Sequence, residues 1–153
     1  IGRHFQSDTL DTIENKIKII NLQKEKDKFS RERFIEELKD KNLKFPYIVM
    51  AQAIVESGMG KSLLFKQNNN LFGMRLAKSR LIPNAESKYG YASYKKWQDC
   101  VLDMAYFQAS YLNGVNTEEE YLLYLGSNYA EASKYTNTLK QIIKEQKLKS
   151  YFK

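Results

Sequence analysis

The sequence is poor in the residues that build specialised frameworks. One cysteine excludes an internal disulfide network, and one histidine leaves no Cys/His cluster for zinc, so no metal and no cofactor is expected. Seven glycines and two prolines in 153 residues are about half the usual share. That is too few turn formers for a sandwich or barrel of many short strands. No apolar run approaches the ~20 residues of a membrane span; Tyr47–Ala51 and Tyr121–Leu125 are the longest candidates. A Gly-rich phosphate loop is missing too, because Gly58-Met59-Gly60-Lys61-Ser62 ends in G-K-S but lacks the first glycine at the Walker spacing. No signal peptide is visible, yet the chain begins at Ile1 rather than Met, so a signal segment is expected to have been trimmed or left out.

What is present describes a globular chain. With 42% apolar and 28% charged residues it is long enough for one domain that buries about 70% of its unfolded surface. The net charge of +7 bears on partners rather than fold, and suits nucleic acid, anionic lipid or the anionic polymers of a bacterial wall. Lys140, Lys144, Lys147 and Lys149 gather near the end, where they answer the dipole of a helix C-terminus. A monomer is expected.

Helical spacing runs through most of the chain. Leu10, Ile13, Ile17 and Ile20 mark an amphipathic helix to about Lys28, and Phe34, Ile35 and Leu38 a short second one. Pro46 opens a third that continues through Glu56 and ends at Gly58 and Gly60, with one more turn over Ser62–Gln67. Asn, Gly, Ser and Pro then punctuate Asn68–Lys95 into short pieces such as Leu71–Leu76 and Tyr89–Tyr94, which predicts a small hairpin or irregular lobe. Helix returns at Trp97–Leu112. Thr117 and Glu120 form a capping box opening Glu118–Leu125, with Gly126 as the stop, and Tyr135, Leu139, Ile142 and Ile143 belong to a last helix. The expected organisation is one compact domain, with N-terminal helices (1–44) packed on a catalytic region (45–153).

One segment carries chemistry: Ala51-Gln52-Ala53-Ile54-Val55-Glu56-Ser57-Gly58-Met59-Gly60-Lys61-Ser62. Glu56 shares a helix face with Val49 and Ala53 and sits in the last turn before two glycines. Desolvation there raises the pKa of a carboxyl, and the helix C-terminus pushes the same way. A carboxylic acid that keeps its proton is what a glycosidase needs to protonate a leaving oxygen. The plainer alternative is a surface glutamate paired with Lys61.

Twelve residues on comes Asn69-Asn70-Leu71-Phe72-Gly73-Met74. Together the two motifs resemble the glucosaminidase family of peptidoglycan hydrolases, glycoside hydrolase family 73, whose members read A-Q-A-I-L-E-S-G-W-G-K-S and then N-N-L-F-G-I-K. The likeness continues through Tyr91–Tyr94, the helix with Trp97, Asp99, Cys100 and Asp103, and the Tyr129-Ala130 to Ile142 segment. It covers about Phe45 to Ile143. The chain departs from the pattern at Met59, where Trp is usual, and at Glu131-Ala132-Ser133, where T-D-P is usual.

The resemblance implies a lysozyme-like α+β fold, mainly helical with a small β-hairpin lobe. It further implies cleavage of the β-1,4 bond on the reducing side of N-acetylglucosamine in cell-wall glycan. Glu56 matches the family's general acid. A second acid on the lobe acts as base in family members, and Glu86 is the one acidic residue between Glu56 and Asp99; otherwise the substrate's acetamido group serves as nucleophile. Tyr129 is assigned to the catalytic cleft, with Asn70, Phe72, Tyr94 and Tyr135 as sugar contacts. Asn69 and Asn70 also fit an Asx turn, and Cys100 a buried inert thiol. The expected partner is the peptidoglycan glycan strand rather than nucleic acid, in the periplasm or outside the cell. A muramidase or lytic transglycosylase would use the same scaffold. A non-catalytic wall-binding module is the alternative from another class.

Overall fold

The computed structural model describes residues 2–77, 82, 85–127 and 132–153, with side chains from Thr9 onward apart from Lys26 and Ala132. The chain divides into two compact units, Ile1–Ser30 and Arg31–Lys153. The first is a single helix, α1 (Gly2–Asp27), along which Leu10, Ile13, Ile17 and Ile20 are each roughly half exposed.

The second unit runs α2 (Arg31–Asp40), α3 (Pro46–Ser57), α4 (Leu63–Asn68), β1 (Ala85–Lys88), β2 (Tyr91–Tyr94), α5 (Trp97–Tyr111), α6 (Glu118–Ser127) and α7 (Ala132–Glu145), closing on a 3₁₀ turn, Leu148–Phe152. Its central helix is α3. Residues 48–53 are all buried, so the middle of α3 has no solvent stripe, and α2, α7 and the 3₁₀ turn pack around it. Phe34 and Leu38 of α2, Leu139 of α7 and Leu148 of the turn are fully buried in that core.

Local chemistry sets the helix ends. Pro46 stands in the first turn of α3. Ser62 caps α4 by accepting from the Phe65 N–H at 3.1 Å. The expected Thr117/Glu120 pair caps α6: Thr117 Oγ1 accepts from the Glu120 N–H at 3.1 Å, and the Glu120 carboxylate returns to the Thr117 hydroxyl, which donates to it at 3.0 Å. Lys44 closes the other end of α5, its ammonium donating to the carbonyls of Leu112, Asn113 and Val115.

Gly126 does not stop α6, which continues to Ser127 with Gly126 buried. A glycine inside a helix costs only about 1 kcal/mol, and burial of Tyr121, Leu122 and Leu125 along the same helix outweighs it.

The lobe is a two-stranded antiparallel hairpin with Ala85 opposite Tyr94 and Glu86 opposite Ser93. Its turn is Tyr89-Gly90, both at positive φ (55 and 79), the two-residue geometry that matches strand twist. Leu71–Leu76 is not a strand. Asn70 Oδ1 accepts from the Phe72 and Met74 N–H groups, and its Nδ2 donates to the Met74 carbonyl. One side chain thus takes the backbone groups a strand partner would need, and the segment closes into a turn.

Three consecutive asparagines fasten the lobe to the end of α4. Asn68 Nδ2 donates to the Lys88 and Ala92 carbonyls, Asn69 Nδ2 to those of Tyr94 and Lys95, and Asn70 Nδ2 to Ala92 as well as Met74. The Ala92 N–H returns a bond to the Met74 carbonyl at 2.9 Å.

Candidate active site

Glu56 is held in the last turn of α3 by the way the helix ends. The Gly58 N–H donates to the Ile54 carbonyl at 3.0 Å, and the left-handed φ of 58 at Gly58 turns the Met59 N–H back to the Ala53 carbonyl at 3.3 Å. Ser57 Oγ donates to the Ala53 carbonyl at 2.7 Å and accepts from the Gly60 N–H at 3.2 Å. On the same face as Glu56, Val49 and Ala53 are fully buried, as their spacing predicts.

The carboxyl itself is half-buried, and that burial raises its pKa above the ordinary glutamate value. Opposing this, the Tyr135 hydroxyl reaches across from α7 and donates to Oε1 at 3.4 Å. Among the described residues no cation pairs with Glu56, so the expected alternative of a Lys61 ion pair is not what holds it. Oε2 lies against Gly73, whose φ is +66; a Cβ there would sit 3.5 Å from that oxygen. Any other residue at 73 would be strained by that φ, its Cβ merely in contact with the carboxyl.

One helical turn before Glu56, Gln52 lines a groove of 500 Å³ with Phe72, Gly73, Arg75, Phe107 and Tyr124. Gln52 Oε1 is enclosed there and has no hydrogen-bond partner among the described residues. The Arg75 guanidinium stands 5.7 Å from the Tyr91 ring centroid, which links the groove wall to β2. Sequence reasoning passed over Gln52, although its position four residues before Glu56 puts both on one face. Phe107 and Tyr124 gave no signal apart from ordinary core spacing.

The other expected site residues divide. Tyr135 and Phe72 lie with Glu56 and its groove, Phe72 also packing 6.1 Å from the Phe34 ring. Asn70 is buried, and both its donors and both acceptor sites are engaged by backbone groups. It has nothing left to offer a sugar and is a scaffold residue, so the expected substrate contact gives way to the Asx turn. Tyr94 is also buried, its hydroxyl donating to the Asp103 carboxylate. Glu86 is exposed on β1 and lines a separate hollow of 280 Å³ with Ser93, Tyr94 and Lys95. Tyr129 lies outside the described residues. Cys100 is buried, and burial pushes its thiol pKa up, as suits an inert sulfur.

Chemically, the site offers one carboxyl biased toward its protonated form, separated from lining the groove only by Gly73. Such a group can deliver a proton to a leaving oxygen.

The family model described as mannosyl-glycoprotein endo-beta-N-acetylglucosaminidase matches residues 31–148, about three quarters of the chain and wider than the motifs alone suggest. Among solved structures, the catalytic domain of the autolysin Auto from Listeria monocytogenes is similar, with a TM-score of 0.51 and 24% identity over 77% of this chain and 80% of that one. The helical core with its small hairpin lobe is therefore a lysozyme-like fold. No curated protein matches the sequence.

Proposed function

The chain belongs to the glucosaminidase family of glycoside hydrolases, and from that premise we propose that it cuts the glycan strands of peptidoglycan, with Glu56 as general acid. The observation that carries this reading is the Glu56 carboxyl: half-buried, raised in pKa by that burial, and lying against side-chain-free Gly73, itself a lining residue of the groove. The similar Listeria structure is an autolysin, which favours a wall glycan over other N-acetylglucosamine polymers. Its place of action is then the cell envelope or the space outside it. No helix among the described residues is long and apolar enough to cross a membrane.

In the reaction, glycan lies in the groove with a β-1,4 bond on the reducing side of N-acetylglucosamine against Glu56. Glu56 protonates the departing oxygen as the anomeric carbon gains positive charge. Tyr135 orients the carboxyl and favours its ionised form after the proton has left. For the attacking water the lobe supplies Glu86, whose exposure suits a base that must hold solvent; where Glu86 is dispensable, the acetamido oxygen of the sugar attacks instead.

Mass analysis of fragments released from purified peptidoglycan tests the proposal. Reducing-end N-acetylglucosamine is expected. Reducing-end N-acetylmuramic acid makes the protein a muramidase, and anhydro ends make it a transglycosylase. If nothing is released while the protein binds the wall, the non-catalytic reading replaces this one.

A further inference from the structure

The four lysines that the sequence suggests as dipole partners do more than follow a helix end. Lys140 and Lys144 from α7, with Lys147, Lys149 and Lys153 beyond it, line a single hollow of 450 Å³. One carboxylate, Glu118, shares the hollow, and it is already engaged: Lys149 approaches it at 3.1 Å and the Tyr47 hydroxyl donates to it at 3.2 Å. Lys140 lies 3.9 Å from Glu119, a loose contact. Lys144, Lys147 and Lys153 have no carboxylate partner among the described residues. A dipole of about half a charge does not call for five ammonium groups.

We propose that this hollow binds a phosphodiester polymer of the cell wall, a poly(glycerol phosphate) chain, apart from the groove at Glu56. Ammonium groups act as point charges toward phosphate without demanding a fixed planar fork, which suits a flexible chain. Each exposed lysine gains little from a single small anion in water. A polymer carrying regularly spaced charges meets several of them together and releases its condensed counterions, so the gain accumulates. The residues lie on α7, the segment after it and the start of α6, none of which lines the Glu56 groove at these positions. Site and groove can therefore hold wall polymer and glycan at once. The choice of a wall polymer over nucleic acid rests on the proposed peptidoglycan substrate, since lysines alone read charge and not sequence.

The test titrates deacylated lipoteichoic acid into the whole protein at several salt concentrations, beside an oligonucleotide of matched phosphate number. Variants are K144E/K147E, the milder K144Q/K147Q should charge reversal prevent folding, and K16E/K18E as a control with the same net charge as the first. Binding should weaken about 30-fold in K144E/K147E, at roughly fivefold per lysine lost. The slope of log affinity against log salt should flatten by ~1.4, at roughly 0.7 per phosphate contact. K16E/K18E should bind nearly as wild type. Hydrolysis of polymer-stripped peptidoglycan should be unchanged in K144E/K147E, while polymer-bearing wall is cleared more slowly. Equal loss in the control, or wild-type binding by both hollow variants, overturns the site. Tighter hollow-dependent binding of the oligonucleotide overturns the choice of polymer. Polymer binding without any peptidoglycan hydrolysis would instead sink the proposed enzyme activity and leave the hollow standing.

Discussion

Replacing Glu56 with Gln isolates the proton from everything else the side chain does. Glutamine is nearly isosteric, its amide oxygen still accepts from Tyr135, and Gly73 leaves the same space beside it. What vanishes is the transferable proton. Loss of general-acid assistance costs ~100- to 10,000-fold in rate, about 3 to 5 kcal/mol of barrier. Stability should move the other way, with a definite pH signature. Because burial raises the folded-state pKa of Glu56, the native protein holds this proton more tightly than the unfolded chain does. Wild-type stability therefore falls as pH rises from the unfolded glutamate value through the raised one, and Glu56→Gln lacks that decline. The variant should melt higher than wild type near pH 7, with the gain disappearing near pH 4, where both chains carry a neutral group at 56. Turbidity loss of a peptidoglycan suspension gives the activity, a sacculus pull-down gives binding, and melts at the two pH values give the stability. Clearance at the wild-type rate would refute Glu56 as the acid. A melting difference that is larger at pH 4 than at pH 7 would refute the buried, raised carboxyl.

Three further outcomes follow from neighbouring residues. Tyr135→Phe removes a hydrogen bond that favours the ionised carboxylate, so the alkaline limb of the pH–rate profile should move to higher pH; an unmoved or lowered limb contradicts the contact. Glu86→Gln should lower kcat at least ~100-fold with little change in melting temperature if Glu86 activates the water, whereas a rate within a few-fold of wild type leaves the acetamido group as nucleophile. Asn70→Ala strips hydrogen bonds from four backbone positions and should destabilise the chain by about 2–4 kcal/mol in chemical denaturation; a loss below ~1 kcal/mol would mean water replaces the side chain there.

How much of this was legible in the sequence depends on the range of the interaction concerned. Helix starts are local, so Pro46, Ser62 and the Thr117/Glu120 pair placed α3, α4 and α6 within a residue or two. Gly126 misled because its local preference is weaker than the burial of its helix neighbours. Punctuation by Asn, Gly and Ser left open which short piece of the lobe pairs, because it cannot show that Asn70 will take the backbone groups of Met74. The apolar face of Glu56 could be read from i−3 and i−7 positions. Tyr135 is 79 residues away, and only the family resemblance pointed to it. The lysines were visible in the sequence, but their convergence with Lys153 on one hollow needed the chain to turn back after α7.

The asparagine clamp has a consequence for how this chain can be altered. All six of its donated bonds end on main-chain carbonyls, five of them on the hairpin or the residue after it, so the clamp recognises the path of the hairpin and not its side chains. Outward-facing positions such as Glu86, Ser87 and Tyr89 can be rewritten without loosening the anchor, provided the turn keeps its length and its positive-φ pair. The lobe is thus an exchangeable cassette on a fixed mount, and a hairpin of equal length grafted between Ala85 and Tyr94 should seat on the same three asparagines while presenting a different surface to the wall.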